Sequence, residues 1–202
     1  MLSRDKGFTL IELMLAMGLG LAILAGTGSL ATRIYHSQRV LLSGLLMEQE
    51  VNRITSVIAH HLAVSGFHGD ARQVLFSEHK KAEAFILGYT VSQHPKEADN
   101  SCLLFAYDTN DNGILDTSTS DERKGFRLRD KTLEMRVDGK TCEQTGWQDL
   151  TQNALITIEQ LNFTPAPYHH STSLQVNITL ALKSRPQVTR TTQFTLELPH
   201  GN

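Results

Sequence analysis

The chain has 202 residues, and its 19 lysines and arginines stand against 21 aspartates and glutamates, for a formal net charge of −2. This near-neutral balance gives no electrostatic case for nucleic acid or an anionic lipid surface as the main partner. The length suggests one or two domains, and the hydrophobic content of 40% allows a modest core.

The chain opens with a long apolar run. Between Phe8 and Thr32 the only charged side chain is Glu12. As a helix the run is ~37 Å long, enough to cross a hydrocarbon core of ~30 Å with some tilt. A secretory signal peptide is one alternative, because Arg4 and Lys6 supply a basic start, but its apolar region would be shorter. A generic membrane anchor is another, and it gives no reason for an acid that costs roughly 2.5–3.5 kcal/mol in a membrane helix.

A family resemblance explains this acid. The stretch Gly7-Phe8-Thr9-Leu10-Ile11-Glu12 resembles the class III signal of type IV prepilins and type II secretion pseudopilins, in which a charged leader ends in Gly before Phe and a hydrophobic helix. The resemblance implies cleavage between Gly7 and Phe8 by a prepilin peptidase, followed by N-methylation of Phe8. It also implies that Glu12 pairs with the terminal amine of Phe8 in a neighbouring subunit, and a buried carboxylate needs such a partner.

The helix is predicted to continue beyond the membrane run. Apolar residues recur every three or four positions after Arg33, and no proline occurs before Pro95. The apolar positions are Ile34, Leu41, Leu45, Val51, Ile54, Ile58 and Leu62, with Leu42, Leu46 and Val57 beside them. One helix from about Phe8 to Val64 is therefore predicted, with a stop at Ser65-Gly66 and a second half on which a sheet packs.

Strand patterns cluster in the second half of the chain. The predicted strands are Cys102–Tyr107, Gly125–Arg129, Thr132–Val137, Ala154–Phe163, Leu174–Leu182 and Val188–Leu198, with Phe85–Val91 as a short further candidate. Asp130-Lys131 and Ser184–Gln187 are predicted turns, the second closing an antiparallel hairpin. Since no βαβ pattern or repeat occurs, the predicted fold class is α+β, a long N-terminal helix with a C-terminal antiparallel sheet.

The two cysteines, Cys102 and Cys142, lie in the part of the chain that would be exported. In an oxidising compartment the simplest interpretation is one disulfide, whose loop of ~41 residues would stabilise the fold by about 4 kcal/mol. Two unpaired buried thiols are the alternative, and a zinc site is disfavoured because neither cysteine belongs to a CxxC pair. Trp147 is expected to pack beside the disulfide, the alternative being an exposed recognition aromatic.

One stretch resembles a ligand-binding loop. Oxygen donors occupy the first, third, fifth and ninth positions of an EF-hand-type pattern, with a glycine at the sixth. These donors are Asp108, Asn110, Asn112 and Asp116. The match fails at the twelfth position, where Thr119 replaces the bidentate glutamate. A solvated turn is the favoured alternative, because Asp, Asn and Gly are also preferred turn residues. Apart from calcium at this loop, no cofactor is expected.

The body also resembles a subgroup of the same family, the PilW-like minor pilins and prepilin peptidase-dependent protein B, which are relatives of the J-type pseudopilin. The stretches Cys102–Asp108 and Gly125–Arg129, and Cys142 shortly before Trp147, carry this looser resemblance. It implies a pilin-like fold in four segments. These are a leader (1–7), the transmembrane half of the helix (8–32), its amphipathic half (33–65) and a periplasmic domain (66–202).

The resemblance implies assembly rather than enzymatic chemistry. The subunit would be a single-pass inner-membrane protein with a periplasmic body, and would then join an extracellular pilus at its tip as a minor pilin that primes assembly. Implied partners are other minor pilins and the major pilin, prepilin peptidase, the inner-membrane assembly platform and inner-membrane lipid; no nucleic acid is predicted. The alternatives are a J-type minor pseudopilin of a type II secretion system and a calcium-dependent adhesion module at the fibre tip.

Overall fold

The computed structural model describes residues 7, 9–69, 85, 88–118, 120–151, 154–168 and 171–198. One helix, α1, spans Leu10–Ala63, within two residues of its predicted bounds. The chain divides into two compact units, the first ending at Leu46 and the second beginning at Met47. The first unit is helical from Leu10 onward and the second contains all the strands described below, so each is treated separately.

The second unit is built from the last turns of α1 and two antiparallel sheets, which confirms the predicted α+β class. The strands are β1 (Tyr89–Ser92), β2 (Cys102–Ala106), β3 (Arg123–Arg129), β4 (Thr132–Met135), β5 (Gln148–Asp149), β6 (Ile156–Tyr168), β7 (Ser171–Leu182) and β8 (Arg185–Leu198). The first sheet has the order β1-β2-β3-β4-β5 and the second the order β6-β7-β8. Six of the eight strands match the six main predictions, β1 overlaps the short candidate, and β5 was not predicted.

A single hydrophobic core joins α1 to both sheets. Val51, Ile54, Ile58 and Leu62 recur every three or four residues, so they share the helix face that meets the strands. Their partners are Leu103, Phe105, Phe126, Leu128 and Leu133 from the first sheet and Ile156, Ile158, Leu161, Phe163, Leu174, Val176, Ile178, Leu180 and Leu198 from the second. The predicted spine is therefore correct from Met47 onward, whereas the earlier members of the same stripe are exposed.

The turn between β3 and β4 is where it was predicted. Asp130 and Lys131 have φ values of 48° and 62°. Two consecutive residues with positive φ form the mirror-image turn whose twist matches a tight hairpin. Arg129 and Thr132 are consequently paired directly across this two-residue connection.

The prediction for the last hairpin turn was wrong by two residues. The chain turns at Lys183-Ser184, and β8 already begins at Arg185, so Pro186 lies inside a strand. A proline is tolerated there because β8 is an edge strand. The N–H that proline lacks therefore removes no hydrogen bond from the centre of a sheet. The same reasoning applies to β6, which passes the predicted end at Phe163 and continues through two prolines to Tyr168.

The predicted stop at Ser65-Gly66 is confirmed. Gly66 has a φ of 79°, in the left-handed region that glycine enters without strain. The next residues are held against the end of β2, because Gly66 N donates to Ala106 O at 2.8 Å and Asp108 N donates to Phe67 O at 2.8 Å. This docking brings the segment after the helix to the Asp108 loop. The remainder of the segment, residues 70–84, 86 and 87, lies outside the described residues.

Candidate processing and assembly site

The N-terminus of α1 is closed by a capping box. The backbone N–H and the hydroxyl of Thr9 donate to Glu12 Oε2 at 3.0 and 2.9 Å, and Glu12 N donates back to Thr9 Oγ1 at 3.4 Å. Thr9 is thus the N-cap and Glu12 the third helical residue, the reciprocal arrangement that satisfies free N–H groups at a helix start. The carboxylate also lies where the helix dipole favours negative charge.

The capping box places the start of the helix after the predicted cleavage site. Gly7 is exposed and outside the helix, and Leu10 is the first helical residue. Phe8, the predicted site of methylation, lies outside the described residues. The residue on the leader side of the Gly7–Phe8 bond is therefore non-helical, and both Thr9 and Glu12 would remain in the mature chain after cleavage at this bond.

The helix that follows is long and apolar enough to cross a membrane. Within the first unit, its large apolar side chains are exposed, from Leu10 at 78% to Leu46 at 44%. Such exposure in a soluble protein would be a large liability, because contiguous apolar surface of this extent marks an interaction with lipid or protein. The helix is thus suited to a membrane anchor.

The predicted disulfide is present between Cys102 on β2 and Cys142 in the loop after β4. Trp147 packs beside it and is 7% exposed, which confirms the predicted packing of this residue. The indole N–H of Trp147 donates to Thr141 O at 3.1 Å, so the ring closes the same loop from the other end. The loop from residue 136 to residue 147 therefore covers the face of the first sheet that points away from the core.

A buried arginine lies beneath this loop. Arg127 on β3 is 1% exposed, and its Nε donates to Glu134 Oε2 at 2.6 Å. Its Nη1 donates to the backbone carbonyls of Cys142 and Gln144 at 2.6 and 2.7 Å. Its guanidinium carbon lies 4.4 Å from the centre of the Trp147 ring, within range of a cation–π contact. One side chain thus contacts the neighbouring strand, the disulfide loop and the indole ring at once.

The Asp108 loop is a closed network of hydrogen bonds. Asp108 Oδ2 accepts from the backbone N–H groups of Gly69 and Gly113 at 3.0 and 2.7 Å, and its Oδ1 accepts from that of Asp111 at 2.7 Å. Burial acts to raise the pKa of Asp108, but the backbone donors outweigh it and hold that pKa below its ordinary value. The carboxylate therefore fixes the loop against the segment that follows the helix.

The calcium hypothesis for this loop is not supported. Its four predicted donors do lie together, but the side-chain amides of Asn110 and Asn112 donate to Asp116 Oδ2 at 2.7 and 3.2 Å. Among the described residues, no group of three or more His, Cys, Asp or Glu side chains is placed to hold a metal ion. Thr119, at the twelfth position, lies outside those residues. The hydrogen bonds account for the loop's conformation as a turn built on Asp, Asn and Gly.

A second buried carboxylate completes the loop. Glu122 is fully buried, and its two oxygens accept from the backbone N–H groups of Thr109 at 2.6 Å and Asp116 at 3.0 Å. The backbone of Glu122 also accepts a hydrogen bond from Tyr107 N at 3.4 Å and donates one to Asp116 O at 3.0 Å. Its side chain therefore spans the loop from its first residues to its last.

Two histidines of the body have lowered pKa values, because both are affected by burial and by nearby cationic side chains. His61, near the end of α1, has its Nδ1 2.9 Å from the hydroxyl of Tyr107. Burial, with further contributions from His60 and Lys124, lowers the pKa of His61. Burial and the neighbouring arginines likewise lower the pKa of His94. Burial and the nearby cations thus favour the neutral form of both imidazoles in the folded body.

Comparisons with known proteins identify the family. A model of the family described as prepilin peptidase-dependent protein B matches residues 41–198. The chain belongs to this family. A second model, the prokaryotic N-terminal methylation motif, matches residues 2–28. A curated relative, prepilin peptidase-dependent protein B of Escherichia coli (strain K12), is 27% identical over 188 residues, which cover 91% of each chain. No solved structure matches.

The two matches cover different parts of the prepilin peptidase-dependent protein B architecture. The methylation motif contains Gly7, Phe8 and Glu12, the residues that the sequence assigned to processing and assembly. The family model begins within the helix and contains Cys102, Cys142 and the strands of the body. The family resemblance predicted from the leader and from the body is thereby confirmed.

Sequence reasoning missed three residues that organise these sites. Thr9 could have been found, because Thr followed three positions later by Glu is the pattern of a capping box. Arg127 and Glu122 belong to no sequence motif: Arg127 is covered by the folded Cys142 loop, and Glu122 is held by the backbone of the loop from Thr109 to Asp116. Arg127 stands between Phe126 and Leu128 and reads as the polar face of a strand until the disulfide loop covers it.

Proposed function

We propose that this chain is a minor type IV pilin that is cleaved after Gly7, methylated on Phe8 and used to prime pilus assembly as part of the tip complex. Residues 8–32 hold it in the inner membrane with the body in the periplasm. It acts as an assembly subunit rather than as an enzyme. Its partners in this proposal are prepilin peptidase, the assembly platform, other minor pilins and the major pilin.

One observation carries the proposal: a methylation motif precedes a membrane-length helix in a chain of the prepilin peptidase-dependent protein B family. The position of Glu12 adds a physical reason. Both hydrogen bonds from Thr9 reach Oε2 of this carboxylate. In the proposed filament Oε1 accepts from the methylated amine of Phe8 in the next subunit, so the capping box orients the acid for docking and need not break.

The packing inside the second unit supports a role in assembly. The apolar helix residues from Val51 to Leu62 pack against both sheets. Because they belong to the core, a force applied to this part of the helix is borne by the core. The disulfide and Arg127 fix the loop on the opposite face of the first sheet. A rigid body of this kind suits a subunit that is extracted from the membrane and stacked with others.

The proposal is tested by mass spectrometry of the membrane-extracted protein from cells with and without prepilin peptidase. We expect a peptidase-dependent loss of residues 1–7 and one N-methyl group on Phe8. Gly7→Ala should abolish both changes. Glu12→Ala should be processed but fail to restore pili to a strain that lacks the gene. Glu143→Ala, an exposed acid of the body, is the matched control and should behave as wild type.

The outcomes separate the proposal from its alternatives. Cleavage at the far end of the apolar run, as in a secretory signal peptide, or a leader that the peptidase leaves intact, contradicts the processing step and with it the whole proposal. Normal piliation but lost protein secretion in the deletion strain would assign the chain to a J-type pseudopilin instead. Correct processing with pili unchanged in number, and with the chain absent from sheared fibres, would contradict the priming and tip roles.

A further inference from the structure

The second sheet has one edge that the rest of the described chain leaves open. β7 is its central strand, and β6 and β8 flank it. From Thr189 to Leu198, β8 keeps an uninterrupted register with β7. The only register shift of this pair lies between Ala181 and Leu182 on β7, opposite the stretch from Arg185 to Thr189 on β8. Within the described residues no strand pairs with the other side of β8. This long regular edge exposes a row of backbone N–H and C=O groups.

The opposite edge strand, β6, is protected, whereas β8 has such features only before Thr189, at Pro186 and at the register shift beside it. In β6, Ile158 N donates to Lys131 O at 2.8 Å and Phe163 N donates to Asn100 O at 2.9 Å, so the first sheet covers part of that edge. Beyond Phe163, Pro165 and Pro167 block strand addition because they lack an N–H. Natural proteins use such devices to prevent unwanted pairing.

β8 lacks these devices over its central residues. Thr191 to Leu196 contains no proline, no charged residue and no register shift. The nearest inward-facing charge, Arg190, is paired with Glu48 on α1, its Nε lying 3.0 Å from Glu48 Oε2. The segment is rich in threonine and has one phenylalanine, a composition that favours strands. An edge of this kind is suited to pairing with another chain.

The side chains define what an added strand would carry. Thr192, Phe194 and Leu196 share the core-facing side of β8 and are half-buried, whereas Gln193 and Thr195 on the other face are exposed. Phe194 and Leu196 pack against the margin of the core and are not covered by it completely. An incoming strand with apolar residues at alternate positions would cover them, and its polar residues would lie beside Gln193 and Thr195.

We propose that β8 is a docking edge for strand addition, and that its occupant is an extended segment of a different pilin-family subunit, apolar on its core-facing side. The inference rests on the proposed function, because it is the pilus assembly that supplies such a subunit. Main-chain hydrogen bonds to Thr191–Leu196 give the affinity, and the contacts to Phe194 and Leu196 give the selectivity.

The test is site-specific photo-crosslinking of the full-length chain in its native host. Benzoylphenylalanine is placed at Gln193 on β8 or, as the matched control, at Gln160 on β6. Both glutamines are exposed and lie on the same face of the same sheet, since Gln160 and Thr191 are both opposite Thr179. We expect Gln193, but not Gln160, to yield a cross-link to a strand-forming peptide of another pilin-family subunit, identified by mass spectrometry.

Proline variants of β8 show whether the cross-link depends on main-chain hydrogen bonds at the open edge. Consecutive residues of an antiparallel strand alternate between facing β7 and facing the open edge. One of Thr191→Pro and Thr192→Pro therefore removes a bond to β7 and lowers the unfolding temperature, and the other leaves it near wild type. The variant that retains its unfolding temperature should lose the Gln193 cross-link.

Three results overturn the inference. They are equal cross-linking from Gln193 and Gln160, a Gln193 cross-link only to a second copy of this chain or to a protein outside the pilin family, and a cross-link that survives in the folded proline variant. Leader cleavage and methylation of Phe8 are measured in the same samples. If both are normal, any of these results removes the docking edge and leaves the proposed function standing.

Discussion

Replacing Arg127 by leucine should strongly destabilise the body, because this side chain holds the disulfide loop on the outer face of the first sheet. The substitution leaves the Glu134 carboxylate, whose side chain is 13% exposed, without the cation 2.6 Å away. Breaking a buried ion pair by removing one partner costs about 3–5 kcal/mol, because the other charge stays buried. The carbonyls of Cys142 and Gln144 lose their donor as well. We therefore expect a loss of about 4 kcal/mol in the free energy of unfolding.

The chain has a built-in probe for this experiment. Trp147 is its single tryptophan, and the Arg127 guanidinium lies over its ring. Urea unfolding of the detergent-solubilised protein, followed by Trp147 fluorescence, therefore reports the same cluster that the substitution perturbs. Arg129→Leu is the matched control, since Arg129 lies on the same strand but pairs with an Asp130 side chain that is 77% exposed. An ion pair so exposed contributes about 1 kcal/mol or less.

A double substitution separates charge from packing. Because replacing both members of a buried ion pair by apolar residues is often nearly neutral, Arg127→Leu with Glu134→Leu should recover part of the stability lost in Arg127→Leu alone. The remaining loss then measures the two carbonyls and the Trp147 contact. Two results would refute the role of Arg127 in holding the disulfide loop on the sheet. One is that Arg127→Leu lowers the free energy of unfolding no more than Arg129→Leu does. The other is that the double variant is less stable than Arg127→Leu alone.

Three further predictions concern the same body. Replacing Cys102 and Cys142 together by alanine should lower the free energy of unfolding by about 4 kcal/mol through the entropy of the released loop, as measured by urea unfolding; no change would mean that Arg127 alone holds the loop. The pKa of His61 is lowered in the folded chain, so as the pH falls below about 6.5 the unfolded chain binds a proton at this residue before the folded chain does. The free energy of unfolding should therefore decrease toward acid pH. His61→Phe should reduce this pH dependence in thermal unfolding measured between about pH 7 and 5. Millimolar calcium should leave the unfolding temperature of the wild type equal to that in chelator, whereas a site at 100 times its Kd would add about 2.7 kcal/mol.

Local signals in the sequence predicted the parts of the fold that depend on local patterns. The bounds of α1 followed from an unbroken three-or-four-residue rhythm without proline, and β7 and β8 followed from strict alternation. The misses have long-range causes. β5 is only Gln148–Asp149 and exists because β4 lies beside it. The hydrogen-bond network of Asp108 includes the backbone N–H of Gly69, which lies just after the helix and far from Asp108 in sequence. The local pattern alone therefore could not distinguish an EF-hand-like loop from a turn.

The candidate site shows the same division between local and long-range information. The leader motif and the membrane helix are contiguous, so the family resemblance that they carry could give Gly7, Phe8 and Glu12 their expected roles. The intramolecular partner of Glu12 was also local, but the family explanation drew attention to a neighbouring subunit, and the nearer partner Thr9 was overlooked. Arg127 could be recognised only once the fold had placed the Cys142 loop over it.

The apolar positions of α1 keep a similar spacing along the helix, but their side chains are exposed in the first unit and buried in the second. This difference gives the final prediction. Leu41 and Leu45 are 65% and 67% exposed, whereas Ile54 and Ile58 are fully buried by the sheets. An apolar side chain gains roughly 1.5–3 kcal/mol on burial, and among the described residues this chain supplies Leu41 and Leu45 with no cover. Ile58→Ala should therefore cost the body about 2–5 kcal/mol in urea unfolding. Leu45→Ala should leave that stability unchanged yet reduce incorporation into sheared fibres, because its cover would come from neighbouring subunits. Equal losses of stability in the two variants, or normal incorporation of Leu45→Ala, would contradict this division of the helix.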